Sequence, residues 1–230
     1  MKKSANIPTR NKIKLNWFKS KANLDIERNI NIQYDASSVT YNKHNWEVSV
    51  KYVLIKEGDP KEIPVNSPMT LYKGGLPFLF LSTAGIIGNK IISEELIDDD
   101  IKIDDDIVQI IEGEEKVTYE DASDPKQHIE VRTRFDKISR RITIENKLDN
   151  EIDLVLDFKQ TKDITFVKAT PEPSTIEEPD YKFEIKIPSE EKSRITLELQ
   201  AKIVKRVTKI KPEFINIPKV KPELIKKEGQ

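Results

Sequence analysis

Eight carboxylates fall within residues 94–106: Glu94 and Glu95, then Asp98, Asp99 and Asp100, then Asp104, Asp105 and Asp106. Carboxylate oxygens are the hard ligands that calcium and magnesium prefer. Two of them held a fixed distance apart are the machinery of glycoside hydrolysis. The spacing argues against a calcium loop, which alternates its ligands as Asp-x-Asp-x-Asp and turns sharply at a glycine. Here two Asp triplets flank Ile101-Lys102-Ile103 with no glycine between them. The pattern reads instead as two loops around an exposed strand. Ile101 and Ile103 are expected to be its only buried members, and the charge would discourage pairing with foreign strands.

Other catalytic constellations are harder still to assemble. A general base near neutral pH is most often histidine, and the chain has only His44 and His128, with no companion that spacing would bring to either. Both are expected at the surface or a strand edge. There is no cysteine, which removes disulfides, thiolate zinc sites and cysteine nucleophiles. Gly85-Ile86-Ile87-Gly88-Asn89-Lys90 lacks the Gly-Lys-Ser/Thr of a phosphate loop and is read as turn glycines. Neither Gly-x-Ser-x-Gly nor His-Glu-x-x-His occurs. No catalytic residue, metal ligand set or cofactor is therefore assigned.

Charge bounds the partners. The chain carries 39 basic and 40 acidic residues, net −1, whereas general nucleic-acid affinity needs clustered positive potential. Arg194, Lys202, Lys205, Arg206, Lys209 and Lys211 do form a late basic stripe, read as solvent-facing strand positions. The longest apolar window, residues 76–88, is too short and too broken by Pro77, Ser82 and Gly85 to span a bilayer. The start of the chain is basic without an apolar stretch behind it, so a cytoplasmic location is expected.

The elements that must position these residues are strands. In the last third, apolar residues recur at every second position: Ile142, Ile144; Ile152, Leu154, Leu156, Phe158; Phe183, Ile185, Ile187; Ile195, Leu197, Leu199, Ala201, Ile203. A period of two buries one face of a strand and wets the other. The fold class expected is all-β, an antiparallel, immunoglobulin-like β-sandwich preceded by a β-rich region. Upstream strands are read around Ile13 to Trp17, Leu24 to Tyr34, Trp46 to Leu54, Ile107 to Ile111 and Lys116 to Tyr119, with buried strands and tight turns over residues 69–92 and one helical turn from Ser93 to Asp98. Asp121 to Pro125 is polar and proline-terminated, the expected boundary between a β-rich domain (12–124) and the sandwich (126–208).

Residues 209–230 form a third part. Lys209-Ile-Lys-Pro-Glu-Phe-Ile215 is echoed by Lys219-Val-Lys-Pro-Glu-Leu-Ile225, and Pro212, Pro218 and Pro222 forbid a regular helix or a central strand. Two readings stay open. One is a loosely held tail; the other is an extended arm whose Ile210, Phe214, Ile217, Val220 and Leu224 anchor it to its own sheet or to a partner's edge.

The stretch from Thr133 to Lys147 with its "ITIEN" strand, the polar hairpin after it, Asp163 to Pro173, and the strand from Tyr181 leading through Pro188-Ser-Glu-Glu-Lys192 into the last strand follow one another in a familiar order. This order resembles the C-terminal β-sandwich domain of unknown function in mucoidy-inhibitor-like proteins, over residues 65–208. More loosely it is similar to immunoglobulin and fibronectin modules. The resemblance implies an interaction or surface-assembly role and carries over no catalytic residue.

Three functions are consistent with these features. The first is a non-enzymatic protein–protein interaction or assembly module that uses sheet edges and the C-terminal arm, with a protein partner or a second copy as its ligand. The second is a virion or filament subunit. The third is a metal-assisted or carbohydrate-active hydrolase using the Asp98 to Asp106 carboxylates, which lacks a nucleophile–base pair.

Overall fold

A computed structural model describes residues 22–41, 43–56, 68–73 and 75–214 of the 230-residue chain. Among them are fourteen strands and no α-helix, so no described helix is long and apolar enough to cross a membrane. In order they are β1 (Ala22–Ile32), β2 (Val48–Lys56), β3 (Pro68–Lys73), β4 (Leu76–Ile87), β5 (Lys90–Ser93), β6 (Leu96–Ile97) and β7 (Ile101–Ile111). There follow β8 (Lys116–Asp121), β9 (Gln127–Asn146), β10 (Ile152–Lys159), β11 (Ile164–Thr170), β12 (Thr175–Glu177), β13 (Asp180–Ile187) and β14 (Lys192–Ile210). The alternation of apolar and polar residues explains the choice of strand. In β13, Tyr181, Phe183, Ile185 and Ile187 are buried while the lysines and glutamate between them are exposed.

The strands form two sheets. The larger runs β12-β13-β10-β1-β2-β5-β4-β3, with β6 also on β2; the smaller runs β11-β14-β9-β7, with β8 also on β9. One shared core joins them: Ile30, Ile32, Leu154, Leu156, Phe158 and Phe183 from the first meet Ile138, Ile142, Ile144, Ile195, Leu197 and Leu199 from the second. Each such side chain contributes about 1.5–3 kcal/mol on burial, which is why two sheets packed face to face outcompete either alone. Asn146 pins one end. Its Nδ2 donates to the carbonyls of Asn150 (2.8 Å), Ile187 (3.2 Å) and Pro188 (2.9 Å), and its Oδ1 accepts from the Leu148 amide, so the β9–β10 and β13–β14 turns are held together.

Four expectations need correction. The strands are not all antiparallel, because β1 pairs parallel with β10, Asn29 opposite Val155 and Ile32 opposite Phe158. The segment 121–125 does not separate two cores: β1 inserts between β2 and β10, while β7 and β8 pair with β9, so apolar residues from both sides of it fill one interior. Residues 93–98 hold the end of β5 and the short strand β6 on β2 rather than a helical turn, since β2 offers the free hydrogen-bonding edge. The apolar stretch 69–92 is only half buried. Leu71, Leu81 and Ile91 point inward, whereas Leu76, Phe78 and Phe80 on the β3–β4 hairpin face solvent. The strand read from Ile13 to Trp17 lies outside the described residues.

Candidate interaction surface

β9 and β14 pair without interruption from Glu145 opposite Lys192 to Gln127 opposite Ile210. Their neighbours do not follow them that far. β11 accompanies β14 only over Thr196 to Ala201, and β7 accompanies β9 only as far as Lys137. Beyond that point β8 takes the open side of β9, Lys116 opposite Thr133 to Asp121 opposite His128. The result is a three-stranded ribbon, β8-β9-β14, that continues past the sandwich. The shared core stops at Ile138 and Ala201, with Ile203 packed against its margin.

Past the shared core the ribbon still carries apolar residues, divided between its two faces; Val131 among them is buried, and others are exposed. Tyr119 is 66 % exposed, Phe135 50 % and Ile210 54 %; Val204, Val207 and Phe214 are exposed as well. At its tip lies an open groove of about 630 Å³, lined by Tyr119, Asp121, His128, Glu130, Lys209 and Ile210 among others. The Tyr119 ring stands edge-on to His128 with centroids 5.0 Å apart. Glu130 is held from both sides, accepting from Lys209 Nζ at 2.6 Å and from Arg132 Nε. Lys209 first, then Arg132, hold the Glu130 carboxyl below the usual carboxylate range. The Lys211 amide donates to the Lys126 carbonyl at 2.9 Å and closes the end of the β9–β14 ladder.

Charge is polarised across the ribbon. On the β8 side, residues 112–121 carry Glu112, Glu114, Glu115, Glu120 and Asp121 against the single cation Lys116. On the β14 side, residues 202–211 carry Lys202, Lys205, Arg206, Lys209 and Lys211 with no carboxylate. The ribbon's part of β9 lies between them with balanced charge: Glu130 and Asp136 against Arg132 and Arg134. The basic stripe seen in the sequence is therefore one edge of a sheet.

Of the five anchors expected in the arm, Ile210 is the last residue of β14 and Phe214 ends a 3-10 turn, Pro212–Phe214. The extended arm thus does not begin at Lys209: β14 includes Lys209 and Ile210 because both still find partners on β9, in His128 and Gln127. Ile217, Val220 and Leu224 lie outside the described residues.

The acidic run is dispersed into separate ion pairs. Glu95 meets Lys51 at 3.0 Å, Asp98 meets Arg28 Nε at 2.7 Å, and Asp104 meets Lys102 at 2.8 Å. Among the described residues, no three His, Asp or Glu side chains converge where a metal ion could sit. The expectation that Ile101 and Ile103 alone would be buried fails at Asp105. That carboxylate is buried, taking Arg140 Nε at 2.9 Å on one oxygen and Tyr34 Oη and Trp46 Nε1, both at 2.8 Å, on the other. Arg140 Nη1 also donates to the carbonyls of Val39 (2.6 Å) and Tyr41 (3.0 Å), so the pair draws the β1–β2 loop inward. His44 stacks on Trp46 beside this clasp and is half-buried, with Nε2 donating to Ser38 O at 2.8 Å. A signal for Asp105 was present in the sequence: Ile101, Ile103, Asp105 and Ile107 have the same parity, and a strand carries them on one face.

No protein-family model, curated protein or solved structure matches the chain.

Proposed function

We propose that this chain is a non-enzymatic protein–protein interaction or assembly module whose working surface is the β8-β9-β14 ribbon and the segment that follows it. One observation carries the reading: the ribbon continues past the shared core with exposed apolar residues on both faces, Tyr119 and Val207 on one and Phe135, Val204 and Ile210 on the other. A ribbon that only had to reach solvent has no need of Tyr119 and Val207 on one face or of Phe135, Val204 and Ile210 on the other, and exposed apolar patches mark interaction sites. The resemblance to the mucoidy-inhibitor-like and immunoglobulin-like sandwiches points the same way. A virion or filament subunit is the second reading, favoured by the ribbon's two open edges, since lattices are built from such edges.

The test compares the full chain with a truncation lacking residues 209–230 and with Tyr119→Ala plus Val207→Asp, exposed residues opposite each other across Glu130. Mass is read by light scattering on a sizing column, and bound proteins by pull-down. The expected result is loss of the higher-mass species or of the bound protein with circular dichroism unchanged. Equal mass and equal capture in all three proteins would remove the reading.

A further inference from the structure

From Ile203 onward, no described strand lies on the outer side of β14; its last bond there is Lys202 N to Asp163 O at 2.7 Å. Among the described residues β8 likewise pairs on one side only. Each edge therefore presents a row of unpaired amides and carbonyls, the template for adding a strand. The two rows are similar in length, six residues in β8 and residues 203–210 in β14.

Their charges determine which pairings are allowed. Setting β14 against β14 of a second copy brings together two rows that each carry Lys205, Arg206 and Lys209 with no carboxylate, whereas β8 against β8 brings together two rows that each carry Glu120 and Asp121 against Lys116. Like charges facing across a strand pair are destabilising. Setting β14 of one copy against β8 of the next joins a row with three cations and no carboxylate to a row with Glu120, Asp121 and Lys116, with Glu112, Glu114 and Glu115 just ahead of it. A two-fold axis would have to bring identical edges together; the charges disfavour that at the β14 edge, and a head-to-tail contact is the pairing that joins edges of opposite net charge.

We infer that the ribbon's occupant is a second copy of this chain, with the basic β14 edge of one copy adding to the acidic β8 edge of the next in a head-to-tail series. The inference rests on the interaction-module reading and names its partner. β8 and β14 both run antiparallel to β9, so copies related by simple translation pair these edges parallel. Lys202, Lys205, Glu114 and Asp121 are all exposed, and reversing them leaves the core untouched.

The experiment is sedimentation velocity over a concentration series with the full chain, with Lys202→Glu plus Lys205→Glu, with Glu114→Lys plus Asp121→Lys, and with the two variants mixed. The wild type should associate, and should do so about tenfold more weakly as salt rises from about 0.1 to about 1 M, where the Debye length falls from about 10 to about 3 Å. Each variant alone should sediment as a monomer, and the mixture should associate again. If wild type associates and both variants alone associate equally well, the contact lies elsewhere and the pairing is overturned. A wild type monomeric throughout also overturns it, while capture of a different protein lost with residues 209–230 would leave the interaction-module reading standing. Hydrogen exchange on that monomer identifies the occupant: slow amides along residues 203–210 would assign the edge to the chain's own remaining segments.

Discussion

Asp105 Oδ1 lies 2.9 Å from Arg140 Nε, and neither side chain has any exposure to solvent. An ion pair this dry recovers its desolvation cost only when the remaining polar atoms are also bonded. Here Tyr34, Trp46 and two loop carbonyls supply those bonds for all but Arg140 Nη2, which has no hydrogen-bond partner among the described residues, while the guanidinium lies over the Tyr34 ring at 4.8 Å. Breaking one partner strands the other, so Asp105→Asn and Arg140→Met should each cost about 3–5 kcal/mol in urea unfolding. The double change Asp105→Leu plus Arg140→Met should cost less than the sum of the single changes. Single losses below about 1 kcal/mol, within the range of an exposed pair, would show that the clasp does not hold the loop.

Tyr34 adds an alkaline limit. Burial first, then the Asp105 charge, push its phenol well above the ordinary value of 10. The folded state thus holds the proton more tightly than the unfolded chain. Its stabilisation is complete below that ordinary value and is lost as pH rises toward the folded value. Unfolding free energy should fall by up to about 1.4 kcal/mol per pH unit from this group alone. Tyr34→Phe should remove that slope, and an identical slope in both proteins would contradict the assignment.

Gly113 lies in the connection that hands the open side of β9 from β7 to β8. A Cβ there would sit 2.1 Å from the Phe135 carbonyl oxygen, and backbone does not yield as a flexible side chain does. The Gly113 amide also donates to Asp136 Oδ1 at 3.1 Å. Gly113→Ala should therefore cost about 1–3 kcal/mol and loosen β8 before the sandwich. Faster hydrogen exchange confined to residues 116–121 and their β9 partners is the expected signature; uniform protection would count against it.

Glu130 gives the ribbon an acid response of the opposite sign. Its carboxyl lies below the ordinary value of 4.5, held there by Lys209 and then Arg132. The corresponding stabilisation is present above that ordinary value and is lost as pH falls through the lower folded value. Amide exchange near Lys209 and Ile210 should accelerate below about pH 4 in the wild type. In Glu130→Gln it should be fast already at neutral pH, with little further change on acidification.

The strand pattern was legible because period two leaves a mark in every β-strand that has one wet face. β10, β13 and the inner half of β14 were read almost residue for residue from Ile152, Phe183 and Leu197 onward. Which strands would neighbour one another was hidden, since the alternation of Ile30 and Ile32 is the same whether β1 lies beside β2 alone or also beside β10. The ribbon was hidden for a related reason. Val207 keeps the parity of Leu197, Leu199 and Ala201, and Tyr119 alternates with Val117, so the pattern does not mark where the shared core ends, while Val204 falls on the other face. Asp105 was misjudged because six aspartates in nine residues look like a wet surface, and Arg140, its partner, lies far along the chain.

The parallel seam between β1 and β10 sets an order of events during synthesis. A ribosome delivers β1 and β2 together, and they can close as an antiparallel pair at once. β10 emerges only after every strand from β3 to β9, so one hydrogen-bonding side of β1 must wait through all of that translation. Ile30 and Ile32 wait with it, since the β10 and β14 side chains that cover them are not yet made. A nascent chain halted anywhere before β10 therefore shows an open sheet edge beside uncovered isoleucines, the kind of surface that chaperones bind and that other nascent chains can join.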